Sequence, residues 1–199
     1  MPKVSQSYLD ARRAKILDAA TRCFAREGFH RTTMKDIVKQ SKLSPGAIYN
    51  YFQSKEEIIE AIANERHARE RRMMEDAKGQ GTLEKVLGKI RDEVLGRIKD
   101  PKERLRRRVS IQLWAEAQRS PAILKLIQRG VEGPRKLLGG ILDEAKESGE
   151  ISKSADADAV ARMLIAVFHG LVLQEEWTGG VRLEPQAALL EKFLTMLKE

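Results

Sequence analysis

Residues 32–55, TTMKDIVKQSKLSPGAIYNYFQSK, read as two short helices around a tight turn, with a third helix starting at their end. Thr33 is placed to cap a first helix over residues 34–41, whose Met34, Ile37 and Val38 share one face at helical spacing. Ser44-Pro45 opens the second helix. Serine is a preferred N-cap, and proline fits the first helical position, where an N–H would have no partner. This helix covers about 45–51, with Ile48 and Phe52 one turn apart and inward. Gly46, Ala47, Tyr49 and Asn50 are left facing out. Ser54 with Glu57 three residues on is a capping box that starts a longer helix.

Two short helices about a turn centred near Lys42 make a helix-turn-helix, whose second helix enters a DNA major groove. The outward residues suit that task. Gly46 and Ala47 are small, so backbone can approach DNA closely. Asn50 can pair with a base edge, adenine above all. The hydroxyls of Tyr49 and Tyr51 can reach phosphates, and Lys55 adds a charge just beyond. Thr33, Lys35, Ser44 and Pro45 complete the set of candidate DNA contacts. The same residues also fit a plain helical hairpin inside an all-α core, with its tyrosines half-buried.

Charge separates the two readings. The 199-residue chain has a net charge of +8. Residues 1–55 hold eleven Lys/Arg against four acids, a net of +7, whereas the remaining 144 hold 26 against 25. The excess therefore sits with the helix-turn-helix, the footprint of a nucleic-acid partner. With 42% hydrophobic and 33% charged residues and only six prolines, the chain can build a sizeable helical core under a charged surface.

Residues 1–7 read as an arm whose Lys3 is a solvated charge. A helix over about 6–27 turns Ile16, Ala20, Cys23 and Phe24 inward and ends at Gly28. Cys23 is the only cysteine, so no disulfide forms within the chain, and it reads as a buried thiol. A long helix over 55–78 ends at the break Gly79-Gln80-Gly81. Further starts follow at Thr82, Asp100-Pro101 and Ser120-Pro121, and Gly133-Pro134 is expected to break or kink the seventh helix. The pattern is all-α, with about nine helices and three parts: a head over 1–55, a connecting helix and linker over 56–81, and a helical body over 82–199.

Residues 159–173, AVARMLIAVFHGLVL, are apolar nearly all round, which a surface helix is not. Either this is the central helix of a monomer, or one side packs on a second chain. For a homodimer the expected interface is Val160, Leu164, Val167 and Leu171, with Leu190, Phe193, Leu194 and Leu197 from the last helix. His30, His67 and His169 have no partner at metal spacing, and no phosphate loop or nucleophile elbow is present. Neither catalysis nor a cofactor is expected. The polar N-terminus and the lack of a charge-free 18-residue apolar run point to a cytoplasmic protein without a membrane partner.

TTMKDIVKQSKLSPGAIYNYFQSKEEII is similar to the DNA-binding segment of TetR-family transcriptional regulators, through Thr33, Ile37, Leu43, Gly46, Ile48, Tyr49, Tyr51, Phe52, Lys55 and Ile58. One departure is Lys42, where the family has a turn glycine. Glycine takes a positive φ freely, so Lys42 implies strain or another turn geometry. The resemblance implies a three-helix DNA-binding head and a helical body that dimerises and binds a small-molecule effector. It implies a sequence-specific regulator, most often a repressor that the effector releases from a palindromic double-stranded operator. Trp114, Gln118, Phe168, His169 and Trp177 are the candidate effector contacts, with core packing as the alternative for each. The competing reading is a helical protein-interaction module with a nonspecific basic DNA-binding head.

Overall fold

Caps set the limits of most helices. The computed structural model describes residues 5–198, so Lys3 and the start of the expected arm lie outside the described residues. Helix α1 (Gln6–Glu27) begins at Ser5, whose hydroxyl accepts from the Tyr8 N–H, and ends at Gly28, with φ 84°. Then come α2 (Met34–Ser41), α3 (Pro45–Tyr49), α4 (Lys55–Lys78) and α5 (Leu83–Lys99). A single 3-10 turn, Pro101–Glu103, leads into α6 (Arg104–Glu116), followed by α7 (Pro121–Glu147), α8 (Ala157–Thr178) and α9 (Leu183–Met196). Among the described residues there are nine α-helices and no strand, the expected class.

The start of α4 is capped from both sides: Ser54 Oγ accepts the Glu57 N–H, and the Glu57 carboxylate accepts the Gln53 N–H at 2.7 Å. Thr82 makes no side-chain cap. The Leu83 N–H is instead satisfied by the Glu150 carboxylate at 2.7 Å, a partner 67 residues away.

The expected break at Gly133-Pro134 does not occur, and α7 runs through it. Proline removes one backbone bond, to the Gly130 carbonyl four residues back. Against that loss α7 buries Ile123, Leu126, Leu138, Ile141, Leu142 and Ala145 along its length, each larger side chain contributing about 1.5–3 kcal/mol. Gly130 also leaves room for the His67 ring, which a Cβ there would force to shift.

The chain packs as two compact units. The first comprises the residues up to Arg66 together with Leu105–Leu126; the second comprises His67–Arg104 and the residues from Ile127 on. Ile16, Cys23, Phe24, Ile37, Ile48, Ile58 and Ile59 form the buried centre of the first. Most of α6 therefore packs with the N-terminal helices and not with the rest of the residues after 82. Two polar links hold it there: Arg66 donates to the Ser110 hydroxyl at 2.8 Å, and His30 Nε2 meets a Glu116 carboxylate oxygen at 2.6 Å. The second unit has its own core of Met73, Met74, Val86, Leu87, Ile90, Leu142 and Ala161.

That core corrects part of the expected interface. Val160 is buried inside it, Leu171 is buried further along α8, and Leu164, Phe193, Leu194 and Leu197 pack partly buried against the core. Leu190 is half-buried. Only Val167 of the eight is exposed, at 41%, and it shares the open side of α8 with Met163 and Trp177. Leu189 and Met196 are the exposed apolar residues of α9. By length and composition α8 would also suffice to cross a membrane; in this fold Val160, Ala161, Leu171 and Val172 are its buried positions beside Ala157.

Lys42 closes α2 at φ 55°, ψ 33°. It is the only non-glycine residue with positive φ among the described residues. The turn keeps the left-handed geometry, so the departure from glycine is absorbed as strain, roughly 1 kcal/mol. Lys42→Gly is expected to raise the melting temperature by about 2–4 °C, read by circular dichroism. A lower melting temperature would mean that the lysine contributes more to the turn than its strain costs.

Candidate nucleic-acid interface

Helix α3 is anchored by Ile48, fully buried, and by Phe52 just past its end. Its first turn is closed by Ser44, whose Oγ accepts the Ala47 N–H, leaving the hydroxyl proton free to donate. Ser44, Pro45, Gly46 and Asn50 are exposed, Tyr49 is 42% exposed, and Ala47 and Tyr51 are half-buried. A Cβ at Gly46 would meet nothing within 4 Å. The helix is two residues shorter than expected, because Asn50 already forms its C-cap. The outward set is unchanged by this.

Two expected contacts have duties inside the head. Thr33 accepts the Asp36 N–H, while its own hydroxyl and N–H both donate to Asp36 Oδ2, at 2.7 and 2.9 Å. The one hydroxyl proton of Thr33 is taken by this cap. These bonds hold the Asp36 carboxyl below the ordinary aspartate value. Lys55 was expected as a free charge for phosphate. Its ammonium instead donates to the carbonyls of Phe29, His30 and Thr32, at 2.9, 3.3 and 3.3 Å, and stands 4.6 Å over the Phe29 ring. Three carbonyls converging from a loop 23–26 residues away leave no trace in local spacing. Lys35 stays exposed, as expected.

The effector candidates are divided between the two units. Trp114, half-buried, and Gln118, exposed, belong to the first unit. Phe168 and His169 are half-buried in the second, their rings 5.6 Å apart. Trp177 is 71% exposed, so it and Gln118 do not line an enclosed cavity. A surface depression of about 710 Å³ over α5 is lined by side chains of both charges, among them Lys85, Asp92, Glu93 and Arg97. No group of three metal-ligating residues exists among the described residues.

A short helix held from beneath, with small, amide and hydroxyl side chains outward and the chain's excess positive charge around it, defines a helix-turn-helix DNA-binding protein. More narrowly, the chain belongs to the tetR family of bacterial regulatory proteins. That family's model matches residues 16–62, and the C-terminal model of BetI-type transcriptional repressors matches residues 87–198. It is thus a transcriptional regulator, as the sequence resemblance implied. The regulator UidR of Escherichia coli K12 is 27% identical over 175 residues, 86% of this chain and 85% of that one. Salmonella enterica GusR superposes with a TM-score of 0.80 at 28% identity, covering 98% of each chain. A complex of SmeT, the Stenotrophomonas maltophilia efflux-pump repressor, with triclosan has the same fold: TM-score 0.78, 23% identity, 94% of this chain and 90% of that one.

Lys55→Met keeps the stem of the side chain but removes three charge-assisted bonds. It should cost about 1–3 kcal/mol of stability and weaken binding to specific DNA more than to unrelated DNA, because Lys55 holds the loop beneath α3. A denaturant melt with parallel binding to specific and unrelated DNA checks both. The Asp36 cap sets a pH dependence. Its carboxyl is lowered on folding, so its contribution is full above the ordinary aspartate value of about 4 and is lost as pH falls through the lowered value. Acid titration followed by helicity should show this loss in the native chain and not in Asp36→Ala.

Proposed function

We propose that the protein is a cytoplasmic, homodimeric repressor that binds a palindromic operator and leaves it when a small-molecule effector binds the helical body over 82–199. The exposed face of α3 carries this reading. Asn50 reads a base edge, Gly46 and Ala47 let the backbone come close, and Ser44, Tyr49, Tyr51 and Lys35 hold phosphates. The expected DNA contact of Thr33 and the phosphate role of Lys55 become positioning roles, and Pro45 sets the first turn. The match to a repressor C-terminal model supports the sign of regulation.

One five-residue recognition helix holds DNA weakly, and a dimer reads two half-sites. The exposed apolar side of α8, with Met163, Val167 and Trp177, and Leu189 and Met196 of α9 supply the surface for the second chain. Trp114, Phe168 and His169 remain the effector candidates; SmeT, which has the same fold, was solved as a complex with triclosan. Helix α4 is the lever, because Lys55–Lys78 begins in the first unit and ends in the second. An effector lowers DNA affinity only by binding more tightly to the state that does not hold DNA.

Selection of random duplexes by the purified protein should recover a palindrome. Recovery of DNA with no shared motif would reduce the head to a nonspecific anchor. Val167→Asp should give monomers by sedimentation and weaken operator binding about 10²-fold or more, the loss expected when two linked contacts become one. A dimer that survives this substitution would place the interface elsewhere.

A further inference from the structure

The cations of the head divide into two kinds. Arg12 bonds the Tyr8 hydroxyl, and Arg13 pairs with Glu65, Arg22 with Asp18, and Arg26 and Arg31 with Glu27. Lys55 is held by carbonyls. Lys15, Lys35, Lys39 and Lys42 are exposed and are given no hydrogen bond or ion pair among the described residues. The last three lie at i, i+4 and i+7 along α2 and into the turn, so they share one side of the helix. At 1.5 Å per residue they span about 10 Å. A DNA strand carries one charge per about 3.4 Å of rise, so the row is long enough to face more than one phosphate.

An exposed lysine row is ordinarily a solvated face. Lys42 argues otherwise. It occupies the one strained non-glycine position among the described residues, where glycine would sit freely. A charge at the end of α2 favours the helix dipole, but Lys39 in the last turn already provides that. Lys42 also stands two residues before Ser44, the cap of the recognition helix, which places its charge beside the face that α3 presents.

We propose that Lys42, with Lys39 behind it, is a DNA phosphate contact that extends the interface beyond α3, and that the turn tolerates strain to hold this charge. The proposal rests on the DNA-binding reading above. It adds affinity without sequence preference, because a phosphate carries no base information.

The test is the salt dependence of binding by the full-length protein to the selected duplex and to an unrelated duplex of equal length. Lys42→Gly removes one contact from each protomer of the bound dimer, so it should flatten the slope of log affinity against log salt by about 1.8 on both duplexes and weaken binding roughly 60-fold at 0.1 M salt. Lys42→Arg should keep the native slope, and Lys153→Ala, an exposed loop lysine, serves as the control. Should Lys42→Gly bind with the native slope while the native protein binds specifically, this proposal falls and the DNA-binding reading stands. If the native protein binds neither duplex, both fall.

Discussion

The Lys55 ammonium gathers the carbonyls of Phe29, His30 and Thr32 onto the first residue of α4. Loop carbonyls turned away from water need donors, and an ammonium offers three. This one bond set fixes the exit of α1, the entry of α2 and the start of α4 against each other. Thr32, buried beside it, bonds back to the Gly28 carbonyl at 2.8 Å and closes the loop from its other side. With those three helices fixed, Ile37 and Ile48 meet in a dry centre, and α3 has one face left to present. The short recognition helix has almost no stability of its own, since a single turn closes few bonds for the dihedrals it fixes. Its orientation is borrowed from the loop clamp beneath it.

Much of this was legible in the sequence because caps are local. Thr33, Ser44-Pro45, Ser54 with Glu57, and Gly28 each announce a boundary within four residues, and the end of α1 and the starts of α2, α3 and α4 fall where these signals put them. The outward face of α3 followed from Ile48 and Phe52 alone. What was not legible depends on distant partners. Pro134 reads as a breaker until the stripe from Ile123 to Ala145 is seen to be buried along its length. Val160 and Leu171 read as interface because α8 is apolar on nearly every side, which removes the polar marker that would say which face is open. Trp177 looks like a wall of a cavity only until its exposure is known.

The electrostatics of the head follow the same division between near and far. Its arginines are engaged with neighbouring acids or a tyrosine and stiffen the surface. Lys15, Lys35, Lys39 and Lys42 are left to the solvent side. An unpaired ammonium keeps its full hydration and reach, so it suits contact with a polyanion that varies in sequence. Asn50, by contrast, offers a fixed pattern of donor and acceptor, which suits a base edge.

The link between His30 and Glu116, with that between Arg66 and Ser110, has a consequence for how such regulators can be recombined. Residues 105–126 pack with the head although residues 67–104, which precede them in the chain, belong to the other unit. A graft that joins this head to a different body at the Gly79–Gly81 break would leave behind Ser110 and Glu116, and with them the helix on which the α1–α2 loop leans. The exchangeable piece is therefore discontinuous. Residues up to 66 and residues 105–126 travel together, and a body evolved for a new effector must keep an α6 that still fits the head it inherits.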